Sequence, residues 1–239
     1  MAVIHLIRHG QASFGKKDYD QLSELGRRQA NALGSHLQRS RTPLDALLSG
    51  SMRRQRDTGT AILEVLGKRA PPDAVHEAFN EYDHVAVIRA YLPLFMERVG
   101  EPRGMTRADV VSDPKLFEFA FRFMLKAWMD NLPHEQEGLG DWRDFCRGVG
   151  QGLSDALAAH GPKAHIGIVT SGGAIAAALR AVLGLSNKRT LSMNWSIYNA
   201  SVTQLYYGRS QRHEDALLLG FNNVAHLELA GGRELVTFR

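Results

Sequence analysis

Hydrophobic and polar positions follow two periods along the chain. Val3-Ile4-His5-Leu6-Ile7 is a short apolar, β-branched run ending at a polar turn, which predicts a buried strand. Ser23 can cap a helix over about 24–37, where Leu25, Leu33 and Leu37 fall on one face. Leu44 to Leu48 gives a second strand. A helix over about 52–66 follows, with Thr58, Ile62 and Leu66 on one stripe, and Pro71-Pro72 is expected to stop it. From about 85 to 131 the pattern is helical and aromatic, with Phe117, Phe119, Phe121, Phe123 and Trp128. A Gly, Pro and acid stretch over 133–140 separates this from a helix over about 141–159. His165 to Thr170 reads as a strand, Ser171-Gly172-Gly173 as a turn, and 174–185 as a helix of small residues. Strands close the chain at 202–207 and 217–221. Strands alternating with helices at both ends imply a three-layer α/β/α fold with a mostly parallel sheet. The helical middle, at about 85–140, reads as an insertion capping the site within a single domain, 1–239.

Composition narrows this picture only a little. The 239 residues are 44% hydrophobic and 23% charged, which excludes a disordered or collagen-like chain and allows one sizeable core. The lone cysteine, Cys146, excludes an intrachain disulfide and any multi-cysteine metal site. The first nine residues lack the pattern of a signal peptide, and the apolar run over 166–179 is too short to span a bilayer. A cytoplasmic protein with no membrane partner is therefore expected. Of the 29 basic residues 22 are arginine, the better fork for carboxylate or phosphate. The net charge of +4 comes without a long basic run, so no nucleic-acid partner is expected. The oligomeric state is not readable.

Ligand sites of open α/β sheets lie beyond the carboxyl ends of the strands, and three such ends carry chemistry. Arg8-His9-Gly10-Gln11 follows the first strand. Arginine can clamp an anion, a neutral imidazole can act as nucleophile or base, and Gly10 would let the backbone turn closely around a ligand. An exposed strand-end pair is the plainer alternative. Ser49-Gly50-Ser51-Met52-Arg53-Arg54-Gln55-Arg56-Asp57-Thr58 enters a helix whose N-terminus attracts phosphate, or else forms a basic solvated face. Thr170-Ser171-Gly172-Gly173 offers orphan amides to an anion, or is simply a tight glycine turn.

Taken in order, these segments resemble the histidine phosphatase superfamily, also called phosphoglycerate-mutase-like. Leu6-Ile7-Arg8-His9-Gly10-Gln11 resembles its opening motif, and Leu22 to Ala30 its first helix start. The segment 49–58 is similar to its second motif, which places the second arginine at Arg54. Phe79-Asn80-Glu81-Tyr82-Asp83 is similar to its acidic motif, and Asp141 to Phe145 and Asn199 to Val202 resemble further landmarks, so nearly the whole chain is covered. The resemblance implies that His9 attacks phosphorus and becomes phosphohistidine. Arg8 and Arg54 would neutralise the phosphoryl oxygens, and Glu81 would protonate the leaving oxygen and then activate water. Ser171 and Gly172 would complete the phosphate pocket. No metal and no cofactor are expected; the partner would be a small phosphorylated substrate or inorganic phosphate.

One departure stands out. The family carries a second histidine where this chain has Ser171. A serine can donate one hydrogen bond but brings no charge, so reduced activity is expected. His165, nearby in sequence, is read as structural rather than as a replacement. Two readings compete: a catalytically weak or inactive module that binds a phospho-ligand or a partner, and a phosphoglycerate-type mutase. The loop Gln11, Ala12, Ser13, Phe14 lacks the acidic residue and Trp-Asn expected of the mutases. A third reading makes Ser171 the nucleophile of an elbow with Asp215 and His226, but Val169 stands where that motif requires glycine. Phe79, Tyr82 and Trp142 could line a pocket, with core packing the plainer role.

Overall fold

The computed structural model describes residues 1–13 and 20–238. Phe14, named above in weighing a mutase, lies outside the described residues. In chain order the elements are β1 (Ala2–Arg8), α1 (Glu24–Ser40), β2 (Ala46–Ser49), α2 (Arg53–Leu66), β3 (Asp73–Val75) and α3 (His84–Phe95). Then come α4 (Arg107–Ser112), α5 (Pro114–Met129), α6 (Trp142–His160), β4 (His165–Thr170), α7 (Gly172–Leu183) and α8 (Asn187–Asn194). Last are β5 (Val202–Tyr207), β6 (Leu217–Asn223) and α9 (Ala225–Gly231).

The strands form one sheet in the order β3-β2-β4-β1-β5-β6. The first four in that order are parallel to one another, whereas β5 runs antiparallel to β1 and β6 antiparallel to β5. The mostly parallel α/β sheet expected from the pattern is present. Period-2 alternation divides the side chains between two cores. Ile4, Leu6, Ile166 and Ile168 join the larger core with the helices α3, α5, α6 and α7. Ile7, Leu47 and Val169 point the other way, against Leu33 and Leu37 of α1 and Ala61 and Ile62 of α2.

Caps explain where the helices begin and end. Ser23 accepts the Gly26 amide at 3.0 Å at the start of α1, as expected. Helix α2 ends at Gly67, which takes a left-handed φ of 55°, so it is this glycine rather than Pro71-Pro72 that stops the helix. Three elements escaped the pattern: β3 is three exposed residues, α8 is mostly polar, and α9 has only seven residues. The aromatics Phe79 and Trp142 are fully buried and Tyr82 nearly so. They pack with Trp128 and Phe145 in the core, with ring centroids 5.1 Å apart for Tyr82 and Trp128 and 5.3 Å for Trp128 and Trp142. Among the described residues no helix is long and apolar enough to cross a membrane.

Candidate active site

The carboxyl ends of β1, β2 and β4 lie side by side in the sheet and bring the predicted residues together. The His9 backbone is tied on both sides: its N–H donates to Thr170 O at 2.8 Å, and its carbonyl accepts the Ala200 N–H at 3.2 Å and the Asn199 side chain at 3.3 Å. Thr58 is the link to α2. Its hydroxyl donates to Arg54 O at 2.7 Å and accepts the Gly10 N–H at 3.0 Å. Gly10 also has a packing reason, because a methyl there would lie 2.4 Å from the Gly26 carbonyl oxygen of α1.

The hydrogen bonds of His9 fix its tautomer. Nδ1 lies 2.7 Å from Gly10 O, a group that can only accept, so Nδ1 carries the proton. Nε2 is then a lone pair, and it accepts from Arg54 Nε–H at 3.1 Å. Burial first, and then the Arg54 and Arg8 guanidiniums, hold the His9 pKa well below 6.5, so the ring is neutral. Arg54 is itself buried at the start of α2 and also donates to Asp20 Oδ1 at 2.5 Å. The other Asp20 oxygen accepts the Arg53 N–H at 2.8 Å, so one carboxylate ties the chain before α1 to the N-terminus of α2. Arg8 donates from Nη1 to the Ile197 carbonyl.

Glu81 approaches from the segment before α3. Its Oε2 accepts the Gly173 N–H at 3.0 Å and its Oε1 the Tyr82 N–H at 3.2 Å. Burial raises its pKa above 4.5 despite these bonds and the nearby arginines. Ser171, 1% exposed, holds the N-cap position of α7 without capping it. Gly172 packs between α8 and Arg8: a methyl there would lie 3.0 Å from Asn194 Oδ1 and 3.9 Å from Arg8 Nε.

Asp20, His84 and Asn194 had no signal in the sequence and reach the candidate site through tertiary packing alone, and Gln55, although inside the segment 49–58, was given no role of its own. His84, the first residue of α3, is held below its ordinary pKa by burial and then by the field of Arg54. The residues of the serine-nucleophile reading do not assemble. Ser171 Oγ meets Gln55 Nε2 at 2.9 Å, His226 Nε2 meets Ala200 O at 3.0 Å, and Asp215 follows antiparallel β5 at the far end of β1. His165 begins β4, also at the end away from the site, and stacks on His5 with ring centroids 5.8 Å apart.

The profile of the histidine phosphatase superfamily (branch 1) matches residues 4–218. This chain belongs to that superfamily. No curated protein sequence matches it significantly. Solved structures of similar fold include YhfR of Bacillus stearothermophilus, at 20% identity and TM-score 0.65, covering 95% of this chain and 100% of that one. The phosphoserine phosphatase of Entamoeba histolytica, in complex with 3-phosphoglyceric acid, shares 18% identity at TM-score 0.63, with 95% and 100% coverage. A mycobacterial glucosyl-3-phosphoglycerate phosphatase, solved with VO3, shares 23% identity at TM-score 0.65, with 93% and 99% coverage. These likenesses establish the superfamily's α/β fold for this chain.

Proposed function

We propose that this histidine phosphatase superfamily member is a phosphomonoesterase that acts on a small phosphorylated metabolite through a phosphohistidine at His9. The observation that carries the reading is the tautomer of His9. Its Nδ1–H is fixed on Gly10 O, so the Nε2 lone pair faces Arg54 in a ring kept neutral. In the first step the hydrogen bond from Arg54 Nε–H passes from His9 Nε2 to a phosphoryl oxygen, and the freed Nε2 lone pair bonds to phosphorus while the P–O bond to the leaving group breaks in line. Arg8 and Arg54 offset charge on the phosphoryl oxygens. Glu81, whose raised pKa favours the carboxylic acid, gives its proton to the leaving oxygen. In the second step water attacks phosphorus, Glu81 takes the water's proton, and the N–P bond breaks to release inorganic phosphate. The guanidiniums provide the positive charge for both steps, so no metal is assigned a role. Ser171 and Gly172, beside Arg8 and Glu81, complete the pocket.

The test is phosphate release from a panel of phosphomonoesters in the presence of a chelator. Phosphoserine, 3-phosphoglycerate and glucosyl-3-phosphoglycerate belong in the panel because phosphatases of similar fold are named for them or hold them. Turnover by the wild type and none by His9→Ala is expected. Equal release by the two would overturn the proposal. A second reading, a module that only binds a phospho-ligand or partner, is favoured by Ser171 and by the Asp20 carboxylate on Arg54. Acid-labile phosphate on His9 after exposure to a reactive phosphodonor decides between them, since a binding module forms none.

A further inference from the structure

The buried amide of Gln55 has no role in the mechanism so far, yet it touches Ser171, where the family resemblance leads one to expect a histidine. Gln55 is the third residue of α2 and has no solvent exposure. Its Nε2 donates to Phe79 O at 3.0 Å and to Ser171 Oγ at 2.9 Å. The Phe79 carbonyl, which also accepts from Thr170 Oγ1 at 2.6 Å, fixes which way the amide points. Turned over, the amide would set Oε1 against that carbonyl, acceptor against acceptor. Gly50 leaves room for this orientation, because a methyl there would lie 2.0 Å from Gln55 Oε1. Oε1 is buried with no partner among the described residues, so the arrangement is kept at a cost.

The consequence falls on Ser171. Its oxygen is occupied as an acceptor from Gln55, and its proton donates to no group among the described residues. At an N-cap a serine hydroxyl ordinarily accepts from the amides of its own helix; here it makes no such bond to α7. Ser171 joins two segments that meet the candidate site residues. Thr170 on one side accepts the His9 N–H, and Gly172 and Gly173 on the other meet Arg8 and Glu81 Oε2.

We infer that Gln55 is a positioning residue that turns the Ser171 hydroxyl into a fixed hydrogen-bond donor to the phosphoryl group, in the place of the missing histidine. This inference rests on the phosphatase reading above. A hydroxyl pinned by an amide is an oriented dipole, and it serves best where charge builds up on the phosphoryl oxygens in the transition state. Gln55 therefore acts on turnover through Ser171 and contributes little to substrate binding.

The test compares Ser171→Ala, Gln55→Met, Gln55→Glu and the double variant Ser171→Ala/Gln55→Met, with the best substrate of the panel. Met has nearly the length of Gln but no donor, so Ser171 is free to swing back to cap α7. Glu keeps the shape but takes the Ser171 proton for itself. Ser171→Ala is expected to lower kcat by roughly 10²-fold, the usual loss for one such donor. Gln55→Met should lower kcat comparably, with KM changed less than about twofold, and the double variant should be no worse than Ser171→Ala alone. Orthovanadate affinity should fall with kcat while inorganic phosphate affinity holds. Multiplying effects in the double variant, or a Gln55→Met enzyme with wild-type kcat, would overturn the inference. Loss of folding in both Gln55 variants would overturn it too, by showing a purely structural tie. An inactive wild type would instead refute the phosphatase reading itself.

Discussion

His9 and Glu81 are displaced from their ordinary pKa values in opposite directions, and for the proposed reaction the displacement sets the pH range. His9 must be neutral to attack, and its pKa is lowered mainly by burial. Acidification therefore ends turnover only below 6.5, where an ordinary histidine would already have failed. Glu81 must be protonated to act as the acid, and burial carries its pKa above 4.5. Raising the pH through this elevated pKa removes the proton and slows the reaction. A kcat/KM profile should show both limbs, with the alkaline limb absent in Glu81→Gln. The substitution should cost roughly 10²–10⁴ on an alkyl phosphate, and much less on p-nitrophenyl phosphate, whose leaving group needs no proton. Equal losses on the two substrates would remove Glu81 from the acid role. Arg8 and His9 were legible in the sequence because they stand at the end of a clear strand beside Gly10, and Arg54 because the segment 49–58 resembles a family motif. Gln55 was not, because its partners Phe79 and Ser171 lie 24 and 116 residues away in the chain.

At the scale of the element, the first turn of α7 bears directly on the acid. The Gly173 amide donates to Glu81 Oε2, and a methyl there would lie 2.1 Å from Oε1 and 2.4 Å from the Tyr82 ring. Gly173→Ala is expected to displace Glu81, reducing turnover at unchanged phosphodonor chemistry on His9, and to destabilise the fold by about 1–3 kcal/mol. Measuring phosphohistidine formation and the melting temperature separately checks both effects. On α2, Thr58→Val would leave the Gly10 N–H without its acceptor in a dry site. A loss of about 1–3 kcal/mol, read by denaturant unfolding, is expected. Strands β1 and β4 were readable because apolar runs stop abruptly at polar turns. The exposed triplet of β3 and the polar α8 carry no periodicity, so only tertiary packing defines them.

The whole molecule answers to pH through histidines outside the site. His5 in the sheet and His226 in α9 are buried, and each has its pKa lowered to about 4, first by burial and then by a neighbouring histidine. Between about 4 and 6.5 the unfolded chain binds protons that the folded chain refuses. The contribution is therefore intact above 6.5 and is lost as pH falls toward 4. Each is worth at most roughly 3 kcal/mol by this linkage. The melting temperature should drop between pH 7 and pH 4, and His5→Gln with His226→Gln should flatten the drop. An unchanged slope would mean that other groups carry it. The alternation of strands and helices made the layered fold legible from sequence, but the antiparallel direction of β5 and β6 was not, since a strand's own pattern does not record its direction.

The place of β1 in the sheet has a consequence for biosynthesis. This strand carries His9 at its end and is the earliest of the strands to be made, yet its neighbours are β4 and β5, over 165–207. A chain emerging N-terminus first therefore holds His9, the proposed nucleophile, on an unpaired ribbon through most of translation. Arg8 adjoins His9 from the start and Arg54 follows on α2, but the strands that flank β1 arrive only with the last third of the chain, so nascent intermediates depend on late pairing, or on chaperones, to shield that edge.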